Sequence, residues 1–152
     1  MAIPTGLTSC AGRWSGTNHL HDPMNNVRES SPATAVIASA VGGRFLRMEY
    51  NWAYQGKSQE GTLLIGTESN GPVTAYWADT WHMSDKVMVC IGTSNPDGGI
   101  SVRGSYSAPP GPDWGWRIDL AASGSNGLRM VMFNITPEGK EDLAVEATFT
   151  RD

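Results

Sequence analysis

The sequence predicts an all-β fold, an antiparallel up-and-down barrel of about ten strands preceded by a short helical turn. Three observations carry this. Turn-forming residues recur at nine short, fairly even intervals, the segments between them are rich in β-branched and aromatic residues, and no segment after Gly12 sustains a 3.6-residue period.

Taken in order, a short helical turn before Gly12 leads into a first strand that opens Ala11-Gly12-Arg13-Trp14-Ser15-Gly16. The turns that follow are Asp22-Pro23, Val41-Gly42-Gly43, Gln55-Gly56, Asn70-Gly71-Pro72, Met83-Ser84-Asp85, residues 95–99, 108–112 and 123–127, and Pro137-Glu138-Gly139. Between them, Leu46, Met48, Tyr50, Trp52 and Tyr54 alternate with Arg47, Glu49 and Asn51, so the apolar set is expected to face inward. The same period sets Trp114, Trp116, Ile118 and Leu120 against Arg117 and Asp119, and Leu143, Val145, Ala147 and Phe149 against Glu146, Thr148 and Thr150. Segments 87–91 and 128–135 are apolar on both faces, and periodicity leaves their inward set open. Hairpin-linked strands expose two sheet edges unless the sheet closes on itself, which selects the barrel.

With 152 residues the chain fits one domain, 1–152, long enough to bury roughly 70% of its extended surface without a disulfide or metal staple. The 18 Gly and 9 Pro beside only 17% charged residues favour short strands and turns over long surface helices. A net charge of -4 with no block of like charge gives no footprint for nucleic acid, and no apolar run is long enough to span a bilayer as a helix. Residues 1–9 lack a basic, greasy start, which reads as cytoplasmic. In that compartment Cys10 and Cys90 are expected as free thiols, with Cys90 a small buried hydrophobe.

The Gly12-Arg13-Trp14-Ser15-Gly16 opening and the Phe149-Thr150-Arg151 close resemble the calycin group, which spans lipocalins, fatty-acid-binding proteins and the nitrobindin type. In that group an opening Gly-x-Trp plugs one barrel end and a late Arg stacks across the indole. The resemblance thus implies a lipocalin-like barrel shut by Trp14 and Arg151, a contact worth about 1–2 kcal/mol when sheltered from water. Over nearly its whole length the chain is also similar to an uncharacterised bacterial family, domain of unknown function 1579. The shared points are Gly42-Gly43-Arg44-Phe45-Leu46, Gly61-Thr62-Leu63, Tyr76-Trp77-Ala78-Asp79 and Pro137-Glu138-Gly139-Lys140, in that order. That resemblance implies a fold and names no function.

The candidate ligand site is an apolar interior lined by Met48, Tyr50, Trp52, Trp77, Trp81, Trp114, Trp116, Met130 and Met132, with Tyr50, Asp79 and His82 orienting a polar end. The competing expectation is that these side chains fill the barrel themselves. Asp79, between Trp77 and Trp81 on one face, then needs Arg44 or Arg117 beside it, or a raised pKa that keeps it neutral. His19 and His21 project to one side, a two-ligand arrangement for zinc with Asp22 or His82 as a third, though Asp22-Pro23 reads as a turn with two solvated histidines before it. Nitrobindin-type barrels hold haem through a late His, whereas here no His follows His82, so haem would fall to His82, Cys90 or a Met. No nucleophile elbow, phosphate loop or Cys-x-x-Cys is present, so a hydrolase is a minor alternative and no metal or cofactor is expected. The function read from the residues is non-covalent binding of a small hydrophobic or aromatic molecule. The alternative is a filled barrel working as a homodimeric protein-interaction module, with segment 108–116 as mouth flap in the first case and docking ridge in the second.

Overall fold

The computed structural model describes Ile3, residues 5–69 and residues 71–152. Met1, Ala2, Pro4 and Asn70, and with them part of the amino-terminal reading and of the Asn70-Gly71-Pro72 turn, lie outside the described residues. One short helix, α1 (Thr5–Thr8), precedes ten strands: β1 (Gly12–Asp22), β2 (Val27–Ala40), β3 (Phe45–Tyr54), β4 (Lys57–Thr67), β5 (Val73–Asp79), β6 (Met88–Ser94), β7 (Ile100–Tyr106), β8 (Trp114–Ser123), β9 (Gly127–Ile135) and β10 (Glu141–Arg151). Each strand is hydrogen-bonded to its sequence neighbours, and β1 pairs antiparallel with β10, so the sheet is a closed barrel.

Every junction falls on the turn chemistry that predicts it. The tightest is Gln55-Gly56 between β3 and β4, where both residues have positive φ, 48° and 77°. A two-residue loop of that hand matches the twist of the strands it joins, and glycine adopts the second position without steric cost.

The alternation in β3 and β8 holds for most of the expected set: Leu46, Met48, Tyr50 and Trp52 are buried with Arg47, Glu49 and Asn51 exposed between them, and Trp116, Ile118 and Leu120 turn inward, whereas Tyr54 and Trp114, at the strand ends, are only half-buried. β10 departs from the prediction at one point. The register jumps between Leu143 and Val145, so Ala144 is an extra, buried residue and Leu143 is only half-buried. A bulge of this kind flips the face of everything on one side of it, and period-two reasoning carries no signal for it. In the two ambiguous segments, Met88, Cys90, Leu128, Met130 and Met132 are buried.

Strand turns at β2–β3, β4–β5, β6–β7 and β8–β9 gather with α1 at one end of the barrel. There the indole of Trp14 is buried, its Nε1 donates to the Cys10 carbonyl at 2.8 Å, and the Arg151 guanidinium lies 4.4 Å above the ring. The same guanidinium donates to the carbonyls of Ala11 and Ser9, each at 2.8 Å, tying the segment after α1 to the last strand. Gly16 completes the motif, since a Cβ there would overlap the Thr148 carbonyl of β10. Arg151→Gln should therefore lower stability by about 1–3 kcal/mol, losing both the cation over the ring and two charge-assisted bonds. Urea unfolding followed by Trp fluorescence measures it, and a loss below about 0.5 kcal/mol would show that the cap is ornamental.

Candidate functional site

Above that plug the barrel is filled by its own side chains. Ile37, Met48, Leu63, Ile65, Ile100, Ile118 and Leu120 are all essentially inaccessible, and Met130 and Met132 pack with them. Toward the opposite end the filling stops, and a cavity of about 590 Å³ opens between the strand ends and the β1–β2, β5–β6 and β7–β8 loops. The lower interior is solid and the upper interior hollow.

Trp77, Trp81, His82 and Trp116 line this cavity. Tyr50, Asp79 and Trp52 stand behind them, Trp114 is half-buried at the start of β8, and Met48, Met130 and Met132 belong to the packed interior. Met88, Tyr106 and Asn134 also line the cavity and were not singled out by sequence. Met88 and Asn134 lie in the segments whose inward face periodicity leaves open, and Tyr106 donates to Asn134 Oδ1 at 2.5 Å.

The polar centre of the site is Asp79, the last residue of β5, with only 1% of its side chain exposed. Its partners correct the expectation. Arg44 is exposed on the turn at the plugged end, and Arg117 faces outward, where it lies over Phe133 and donates to Glu141 at 2.7 and 2.6 Å. Asp79 is served locally instead. Its Oδ1 accepts from the Trp81 and His82 amides, both at 2.9 Å, and contacts His82 Nδ1 at 3.0 Å, while its Oδ2 accepts from the Tyr50 hydroxyl at 2.7 Å. Trp77 Nε1 donates in turn to the Tyr50 oxygen at 2.9 Å.

Burial pushes the Asp79 pKa up, but the His82 ring and amide and the Tyr50 hydroxyl outweigh it, so the carboxyl sits below its ordinary 3.8 and is ionised rather than neutral. Burial and the adjacent carboxylate push Tyr50 well above 10. Gly61 on β4 makes this relay feasible, because a Cβ there would overlap the Tyr50 ring and hydroxyl.

An ionised acceptor on Nδ1 fixes the orientation of the His82 imidazole and leaves Nε2 as the free ring nitrogen. Four indoles surround that ring, with centroids 4.7 Å away for Trp81, 5.3 Å for Trp116 and 5.8 Å for both Trp52 and Trp77. Trp116 stacks on Trp77 at 5.2 Å and 11°. Its Nε1 is buried and has no hydrogen-bond partner.

The other sequence candidates separate. His19 Nδ1 pairs with Ser30 Oγ at 2.7 Å, while His21 and Asp22 stand at the cavity mouth, where Asp22 holds the turn by accepting from the Met24 and Asn25 amides. Burial, with Arg28 and His19 nearby, lowers the His21 pKa. Among the described residues no three His, Cys, Asp or Glu side chains stand together as a metal site. Cys10 and Cys90 are free and buried, and burial pushes Cys90 up to about 11, which leaves it an inert thiol. No described helix is long and apolar enough to cross a membrane.

The model of a protein family of unknown function, DUF1579, matches residues 5–151. Among solved structures the chain is similar to Rv2717c from M. tuberculosis, with a TM-score of 0.66 at 16% identity, covering 100% of this chain and 99% of that one. It is also similar to the S-type phycobiliprotein lyase CPES from Guillardia theta, with a TM-score of 0.66 at 12% identity, covering 100% of this chain and 93% of that one. At these identities the likeness shows a shared fold. No curated protein matches.

Proposed function

The chain belongs to the DUF1579 family, whose name assigns no activity, and from its site we propose that it binds a small, flat, apolar molecule non-covalently in the cavity at the open end. One observation carries the reading: a cavity of about 590 Å³, lined by the indoles of Trp77, Trp81 and Trp116 and the thioethers of Met24, Met83 and Met88, ends on an imidazole locked by a buried carboxylate. Aromatic faces suit a planar ligand, and His82 Nε2 supplies a polar anchor beside the indoles, while Asp22, Lys86 and Asp142 line the cavity as well. The unpartnered Trp116 Nε1 adds a donor whose burial costs stability unless an acceptor meets it. The fold likeness to a phycobiliprotein lyase supports a small-molecule role and names no ligand for this chain.

Titration with fatty acids, retinoids and haem, followed through the six Trp residues, tests the proposal. Saturable quenching is expected for at least one planar apolar ligand, and His82→Ala should weaken it about tenfold by removing one anchoring hydrogen bond. Haem would additionally report His82 as iron ligand through its absorption spectrum. A flat response to all three classes would end the binding reading.

The second reading, a surface module acting as a homodimer, is favoured by the outer face of β5 and β6, where Tyr76, Val89 and Ile91 are exposed side by side. A dimer on a sizing column together with that flat response would select it.

A further inference from the structure

The strands of the barrel do not pair equally. β5 and β6 pair from Val73↔Gly92 to Trp77↔Met88, and β7 and β8 from Ile100↔Leu120 to Tyr106↔Trp114. Between them, β6 and β7 pair only from Ser94↔Ile100 to Ile91↔Arg103. Toward the open end both strands continue, Met88, Val89 and Cys90 on one side and Gly104, Ser105 and Tyr106 on the other, with no ladder joining them. The wall has a slot there, three residues deep.

The slot leads to the cavity, because Met88 and Tyr106, one from each side, line it. What fills it is side chain. A Cβ on Gly104 would stand 2.6 Å from Met88 Sδ and 3.0 Å from Cys90 Sγ, so a thioether and a thiol occupy the space beside β7 that a larger residue would claim. Methionine is unbranched and changes rotamer at low cost, whereas parting an intact ladder breaks several backbone hydrogen bonds at once. The outer lip is greasy: Val87 and Val89 are 62% and 51% exposed. The rim of the mouth, by contrast, carries Asp22, Lys86 and Asp142.

We propose that the ligand passes through this β6–β7 slot, with Met88 as its gate, rather than over the charged rim. The proposal rests on the binding reading given above, since a passage requires cargo. An apolar molecule meets Val87 and Val89 first, displaces the Met88 side chain, and reaches the indoles without opening a hydrogen-bonded seam.

The test bridges the slot. Val89→Cys with Ser105→Cys places thiols at the two positions that would face each other if the ladder ran on, while the native thiols are buried and stay out of the reaction. With 1-anilinonaphthalene-8-sulfonate as probe, stopped-flow fluorescence is expected to show association and release both slowed about tenfold or more in the bridged protein, with affinity unchanged and full recovery on reduction. Met88→Ala, which needs no bridge, should speed both rates several-fold. Equal rates in bridged and reduced protein, or no acceleration in Met88→Ala where the bridge does not form, overturn the slot and leave the binding reading standing. Failure of the unmodified protein to bind the probe or any of the titrated ligands overturns both.

Discussion

Asp79→Ala is expected to cost about 3–5 kcal/mol of unfolding free energy, one of the largest effects of any single substitution in this chain. The carboxylate accepts from two amides, one hydroxyl and one imidazole, so its removal leaves four donors at a nearly inaccessible site without their acceptor. The damage should spread to the cavity, because the His82 ring is held by the same group. Asp79→Asn keeps the shape and one acceptor and should lose less. The pH dependence has a definite sign. A carboxyl whose folded pKa lies below its ordinary 3.8 contributes stability that is complete above that value and is lost as pH falls through the folded one. Wild-type stability should therefore drop on acidification below about pH 4 with a component that is missing in Asp79→Asn. Urea midpoints between pH 2 and 7 measure both effects, and parallel curves for the two proteins would refute the role of the ionised form.

Trp14→Ala comes next, at about 3–5 kcal/mol, the usual cost of deleting a large buried aromatic side chain. Here the cavity forms at the plugged end, where the indole also donates to the Cys10 carbonyl and supports the Arg151 guanidinium. A domain of this size loses roughly 2–4 °C of melting temperature per kcal/mol, so a drop of about 10 °C is expected by circular dichroism. Trp14→Phe should retain part of it by keeping a ring beneath the cation. A shift under about 2 °C for the alanine variant would mean that the plug does not hold the barrel together. Because the plug and the cavity lie at opposite ends, ligand affinity of any folded Trp14→Phe protein should match wild type.

The strands were legible because turn chemistry is local. Gly, Pro, Asn and Asp act within three or four residues of themselves, and they punctuate this sequence at every junction. Closure was legible for a different reason, since Trp14 and Arg151 meet by a contact that a resemblance supplied. The cavity was not, because Met48 and Trp77 look alike in an alternating pattern, and only the height of each along the barrel decides whether it fills the interior or walls a void. The partner of Asp79 was missed by looking for a distant arginine. A carboxylate ending a strand can be satisfied by the amides two and three residues on, and the His at the third position then folds back over it. Asp79-Thr80-Trp81-His82, at the end of an inward-facing apolar strand, held that signal.

β10 has a consequence for how the chain reaches its native form. Its residues from Val145 to Arg151 supply the hydrogen-bond partners of β1 across nearly the full length of the sequence, so the final wall contact is also the most non-local. Such pairing pays its loop-closure entropy late, and a polypeptide leaving the ribosome in order can only form an open, curling sheet until β10 emerges. A truncation that removes β10 would leave β1 and β9 as two raw strand edges in one molecule, the arrangement most prone to strand exchange and aggregation.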